Sequence, residues 1–180
     1  MNPRMNPFWR QRIAGTFHNT LDAYPRVLML RFPDCPAAVI SRFTDPLKAK
    51  IDAYIKRKQH EGKRVHATTL RFIWVREFGE RNGKKHYHVV LLLNRDTWCG
   101  AGDYRTPDSL AGLIKQAWCS ALRVDAQQYS SLANFPQNPV LWLDRGNAAQ
   151  LQQGLARADY LARHHTKERD GERNFGCSQN

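Results

Sequence analysis

The apolar positions of this chain change period along its length, and those changes divide it into helices and strands. Over residues 8–24, Phe8, Ile13, Phe17 and Leu21 recur at roughly helical spacing and stop at Pro25, which predicts a first helix. Residues 26–32 (R-V-L-M-L-R-F) are short, apolar and halted by Pro33, as a buried strand would be. Pro46 can occupy the first turn of a helix with Leu47, Ile51, Tyr54 and Ile55 on one face. The opposite face of that helix holds Lys48, Lys50, Lys56, Arg57 and Lys58. Long strands are expected over 66–78 and 85–94, separated by G-E-R-N-G-K, in which Asn82-Gly83 is a strong hairpin signal. A loop over 95–106 leads to a helix opened by Thr106-Pro107 that buries Leu110, Leu113, Ile114, Ala117, Trp118 and Ala121. Val140-Leu141-Trp142-Leu143 forms a short strand, and Asn147 caps a last helix running to about His165. Hairpin-linked strands with helices between them predict an α+β fold, a mainly antiparallel sheet flanked by helices.

The hairpin also carries the first candidate chemistry. Side chains alternate along a strand, so His86 and His88 share a face and Tyr87 points away. A two-residue loop at Asn82-Gly83 pairs Arg81 with Lys84 and, further in, Glu77 with His88. Glu77, His86 and His88 then converge on one patch. Two imidazoles and a carboxylate suit a divalent cation, with Mg²⁺ or Mn²⁺ expected first and Zn²⁺ also compatible. Three protein ligands leave positions open for substrate oxygens. An H-x-H pair also arises on strand faces that bind nothing, so the register-matched glutamate is what gives the pattern weight. A bulge would turn Glu77 to the other face.

A second feature lies in the last helix. Leu151, Leu155, Ala158 and Leu161 form its apolar stripe, while Tyr160, Arg163, His164 and Lys167 follow at i, i+3, i+4 and i+7. A phenol, with a pKa near 10, needs nearby positive charge to react as phenolate. The same cations can hold a phosphate. The plainer alternative is an amphipathic tyrosine at the edge of the core beside a solvated basic face. Taken together, a metal patch and a tyrosine are the parts needed to transesterify a nucleic-acid phosphodiester.

Composition narrows the partner. The 28 Lys and Arg against 16 Asp and Glu leave a formal charge of +12 on 180 residues. That excess favours a polyanion, here single-stranded DNA held by its backbone. Lys84, Lys85, Arg76, Arg163 and Lys167 are the expected DNA-contacting cations. Trp98, in a loop, is expected to stack a base, whereas Trp9, Trp74, Trp118 and Trp142 read as core. No run of about 18 apolar residues is present, which excludes a membrane helix. The N-terminus has no apolar signal core, and Cys35, Cys99, Cys119 and Cys177 are scattered. Reduced thiols in a cytoplasm are therefore expected.

H-Y-H at 86–88 followed by V-V-L-L-L, and preceded by W-V-R-E-F-G at 74–79, resembles the HUH endonuclease superfamily. More narrowly, Y-L-A-R-H-H-T-K at 160–167 with R-N-F-G-C-S-Q at 173–179 resembles inovirus-type replication endonucleases, including the YagK/YfjJ C-terminal-type proteins. The resemblance runs from about Arg26 to Gln179. It implies an HUH-type domain over 26–180 built on a five-stranded antiparallel sheet, preceded by a helical arm at 1–25. It further implies divalent-metal-dependent, site-specific nicking and joining of single-stranded DNA through a covalent phosphotyrosine. Such chemistry initiates rolling-circle replication of a filamentous phage, prophage or plasmid in the cytoplasm of a bacterial host cell, with unwinding supplied by a host helicase. His86 and His88 would be metal ligands, Glu77 the third, and Tyr160 the nucleophile. Where the initiator motif places a lysine one turn after its tyrosine, this chain has Arg163, so either Lys167 supplies that function or Arg163 acts as an electrostatic group. Two other readings stay open: a catalytically silent DNA-binding accessory protein on the same fold, and a relaxase or transposase with the same chemistry.

Overall fold

Strand alternation governs how this chain packs. The computed structural model describes residues 5–36, 40–78, 83–129, 135–163 and 171–179. In order these form α1 (Pro7–Ala23), β1 (Arg26–Pro36), α2 (Ser41–His60), β2 (Arg71–Phe78) and β3 (Lys85–Asn94). There follow α3 (Leu110–Leu122), α4 (Ala126–Tyr129), β4 (Val140–Asp144), α5 (Ala148–Asp159) and β5 (Phe175–Cys177). The strands make one 5-stranded sheet in the order β4-β1-β3-β2-β5, with every pair antiparallel. The α+β architecture expected from the pattern is the one observed.

Each central strand feeds two cores. Leu28, Leu30 and Phe32 of β1, Trp74 of β2, and Tyr87, Val89, Leu91 and Leu93 of β3 face α2 and α3. There they meet Phe43, Leu47 and Ile51 from α2, and Leu110, Ile114 and Trp118 from α3. The alternate residues Val27, Met29, Ile73, Val75, Val90 and Leu92 face α1 and α5. Ile13 and Phe17 of α1 are fully buried in this second core, so the helix of the N-terminal arm packs on the sheet. Burial of that kind contributes roughly 1.5–3 kcal/mol per large apolar side chain. The Asn6 side chain accepts from the Trp9 N–H at 3.1 Å and Pro7 occupies the first turn, which fixes where α1 begins.

Several boundaries differ from the pattern-based expectation. Helix α2 opens at Ser41, with Pro46 inside it. Strand β2 opens at Arg71 because the residues before it are tied by side chains: the Asn94 N–H donates to Thr68 Oγ1 at 2.8 Å, and Asn94 Nδ2 donates to the Ala67 carbonyl at 2.9 Å. Helix α3 opens after Ser109, whose Oγ accepts from the Gly112 N–H at 3.0 Å. The final helix ends at Asp159, and Tyr160–Ala162 form a 3-10 turn. Strand β5, which the apolar pattern does not signal, closes the edge beside β2. Gly176 is required there, since a Cβ would lie 2.5 Å from the Trp74 indole nitrogen.

The tryptophans exchange their expected places. Trp98 is buried against Tyr54, with ring centroids 5.1 Å apart, whereas Trp142 is 51% exposed on edge strand β4. The Arg95 guanidinium lies 4.7 Å from the Trp142 ring centroid, and the indole N–H donates to the Cys99 carbonyl at 2.8 Å. Cys99, Cys119 and Cys177 are free thiols, and the side chain of Cys35 lies outside those described. No helix among the described residues is long and apolar enough to cross a membrane.

Candidate functional site

The α1/α5 face of the sheet is apolar over most of its length and changes character at one end. Along β3 the side chains on this face run Leu92, Val90, His88, His86, and along β2 they run Ile73, Val75, Glu77. The observed register pairs Glu77 with His86 and Val75 with His88. It is displaced by two residues from the register a tight Asn82-Gly83 loop would impose; Asn82 itself lies outside the described residues. A slip of one residue would have sent Glu77 to the opposite face, but a slip of two preserves parity and keeps all three groups together.

One ligating atom from each of Glu77, His86 and His88 can be chosen so that all lie within 4.8 Å of one another. Glu77 Oε2 is 3.0 Å from His88 Nε2 and 3.9 Å from His86 Nε2. The carboxylate is buried and the imidazoles are partly exposed, with side-chain exposures of 9% for Glu77, 25% for His86 and 14% for His88. His88 Nδ1 is buried with no hydrogen-bond partner. A clustered imidazole pair and carboxylate fits a divalent cation in donor type.

The tyrosine arrives from the other end of the chain. Helix α5 begins with Asn147, whose side chain accepts from the Gln150 N–H at 3.1 Å, and runs across the sheet with Ala158 buried. Tyr160 follows at once in the 3-10 turn, anchored by buried Leu161 and Ala162. Its ring meets that of His88 at 5.7 Å between centroids and 74° between planes. The Asn6 N–H donates to the Ala162 carbonyl at 2.9 Å, and Met5 bridges to Arg163, so the N-terminal segment holds this turn in place.

Arg163 is not on a continuing helix. Its backbone is extended, at φ −69° and ψ 137°, which breaks the helical face expected to align Tyr160 with Arg163 and Lys167. The guanidinium nevertheless sits 5.9 Å from the Tyr160 ring centroid. Lys167, His164 and His165 lie outside the described residues.

Of the cations expected to touch DNA, Lys84 is exposed, and Lys85 Nζ lies 3.0 Å from Glu172. Arg76 corrects the expectation. Its side chain is fully buried on the face opposite Glu77, and it donates to Glu172 and, at 2.8 Å and 3.0 Å, to Asn174 Oδ1. Alternation puts neighbours in a strand on opposite faces, so Glu77 at the site places Arg76 away from it. Arg76 instead ties β2 to the segment entering β5.

Arg31 was missed. It follows Val27 and Met29 in parity along β1 and pairs with Val90, beside His88. Together with His88 and Tyr160 it lines a cavity of about 50 Å³. The signal was the second arginine in R-V-L-M-L-R-F, visible only once the partner strand is known.

A family model described as the YagK/YfjJ C-terminal domain matches residues 7–178. The chain belongs to that family. The YagK/YfjJ match starts within α1, consistent with the burial of that helix in the shared core. Among relatives, the chain is similar to the uncharacterized protein YagK of Escherichia coli (strain K12), with 40% identity over 87% of this chain and 79% of that protein. It is likewise similar to the uncharacterized protein YfjJ of the same organism, with 39% identity over 82% of this chain and 74% of the relative. No solved structure matches the chain.

Proposed function

We propose that this YagK/YfjJ-family protein nicks and rejoins single-stranded DNA through a phosphotyrosine, as an HUH-type endonuclease of the inovirus replication class that starts rolling-circle replication. The observation that carries the reading is the packing of Tyr160 against His88, which brings a nucleophile to the edge of a Glu77–His86–His88 cluster. Sequence proximity cannot account for that meeting, since the two residues come from α5's end and β3.

The division of labour follows from the residues. A divalent cation bound by Glu77, His86 and His88 would supply Lewis-acid polarisation of a phosphodiester. The phenol oxygen of Tyr160 attacks phosphorus, forming one P–O bond as the bond to the 3′ oxygen breaks. The phenol gives up its proton and the leaving 3′ oxygen takes one up, so the number of P–O bonds is conserved and rejoining is the same step reversed. Arg163, always charged, adds positive potential beside the Tyr160 ring. Lys84 on the adjoining end of β3 and the overall charge of +12 favour the DNA backbone as the ligand.

The test is formation of a covalent protein–DNA adduct. With Mn²⁺ and labelled single-stranded DNA, the wild-type chain is expected to give an adduct that survives denaturation. Tyr160→Phe and the double variant His86→Ala/His88→Ala are expected to give none. DNA binding without an adduct under any divalent metal would establish the silent accessory protein in its place.

A further inference from the structure

We infer that Arg31 is an oxyanion clamp, a catalytic residue that receives a DNA phosphodiester in the small cavity between His88 and Tyr160. This inference rests on the nicking reading for its biological setting, but its physical basis is separate. Three observations meet at one place.

First, Arg31 is partly buried, with one guanidinium nitrogen left unpartnered. Its Nε is inaccessible and has no hydrogen-bond partner, and no carboxylate among the described residues pairs with it. Glu77, the carboxylate on the same face, is bonded to the imidazoles. Leaving a buried donor unsatisfied costs about 1–3 kcal/mol, and more for a charged group. A chain that keeps such a group in an otherwise apolar strand has a reason outside its own packing.

Second, Arg31 lines a cavity that other reactive groups also line. Arg31, His88 and Tyr160 line the same space. His88 also has a buried ring nitrogen, Nδ1, without a hydrogen-bond partner. Leu161 and Val90 close its apolar side.

Third, the size selects the ligand. The cavity holds about 50 Å³, and a water-sized group needs roughly 10–15 Å³ on such a measure. The space therefore takes about three to five oxygen-sized atoms, which suits a phosphate group. A guanidinium matches phosphate oxygens as a planar fork of donors. Bound there, the phosphodiester presents its phosphorus to the Tyr160 side of the cavity while Arg31 neutralises its non-bridging oxygen.

The experiment uses the full chain, metal-free and at constant ionic strength. Inorganic phosphate, and separately a twelve-residue oligodeoxythymidylate, is titrated while the His88 imidazole resonances are followed by NMR. Phosphate is expected to shift them in the wild type and the oligonucleotide to compete with it. Arg31→Met is expected to weaken phosphate binding at least ~10-fold, and Arg31→Lys to fall between the two. Because methionine replaces an unpartnered charge among apolar neighbours, Arg31→Met is expected to fold and to melt no lower than the wild type. Unchanged phosphate affinity in Arg31→Met overturns the clamp, as does an oligonucleotide that fails to compete. With Mn²⁺ and a randomised single-stranded DNA pool, Arg31→Met is expected to form adduct ~100-fold more slowly. An undiminished rate overturns the clamp while leaving the nicking reading intact. A wild type that forms no adduct, yet loses phosphate binding on Arg31→Met, upholds the phosphate site and overturns both the nicking reading and the catalytic role of Arg31.

Discussion

The two faces of the sheet are built from the same strands and do different work. On the α2/α3 face, Tyr87, Val89, Leu91 and Leu93 of β3 are all buried, so the strand is core from Tyr87 onward. On the α1/α5 face the same strand is core only as far as Val90, then presents His88 and His86. Apolar packing on one face therefore supports a backbone whose other face carries the Glu77–His86–His88 cluster and the unpartnered nitrogens Arg31 Nε and His88 Nδ1, against Trp118 Nε1 on the first face. A site that binds an ion and a charged substrate, as proposed, would carry such unmet demand. The stability that tolerates it comes from the opposite side.

The sharpest way to break this comparison is to remove function without touching the core. Tyr160→Phe deletes one hydroxyl at the edge of the apolar cluster. It is expected to reduce covalent adduct formation by at least ~10³-fold. The melting temperature should change by no more than the ~2–4 °C that corresponds to 1 kcal/mol in a chain of this size. The converse is Trp118→Ala, on the far face. Trp118 is fully buried and packs edge-on against Phe32 and Phe43, with centroids at 5.7 Å and 5.1 Å. Its removal is expected to cost ~3–5 kcal/mol, read by denaturant unfolding, and to lower adduct formation only as far as the folded fraction falls. Equal loss of function and stability in both variants would show that the faces are not separable.

A third experiment addresses the metal alone. Any cation that binds only the folded chain stabilises it, by about 2.7 kcal/mol at a concentration one hundred times its dissociation constant. Mn²⁺ is therefore expected to raise the melting temperature of the wild type and to have no such effect on His86→Ala/His88→Ala. Excess chelator should return the wild type to its metal-free value.

How far the sequence anticipates all this depends on whether a feature is local. Alternation within β2 and β3 is local, and it placed Glu77, His86 and His88 on one face even though the loop register was read two residues out. The end of α5 was not legible, because no glycine or proline marks it. The chain turns at Tyr160 through the Asn6–Ala162 hydrogen bond and the Met5–Arg163 bridge, both long-range. Arg31 was hidden inside an apolar run whose second face becomes visible only with β1 paired to β3. The swap of Trp98 and Trp142 has the same origin: an edge strand and a packed loop look alike until their neighbours are known.

Arg76 gives the smallest of these effects and tests the face assignment most directly. Its neighbour Glu77 faces the site, while Arg76 itself is buried on the other side and holds Glu172 and Asn174. Removing one member of a buried ion pair usually costs most when the partner is left buried and charged. Here Glu172 is 60% exposed and also has Lys85, so water and lysine take over its charge. Arg76→Met should then lose only the charged hydrogen bonds, about 1–3 kcal/mol, read as a fall in melting temperature of roughly 2–12 °C. A phosphate-contacting arginine would behave otherwise. Its loss would leave melting unchanged and reduce the dependence of single-stranded DNA binding on log salt concentration by about one unit of slope. The expected outcome is lower stability with an unchanged salt slope, because the residue fastens the edge of the sheet and does not reach the substrate.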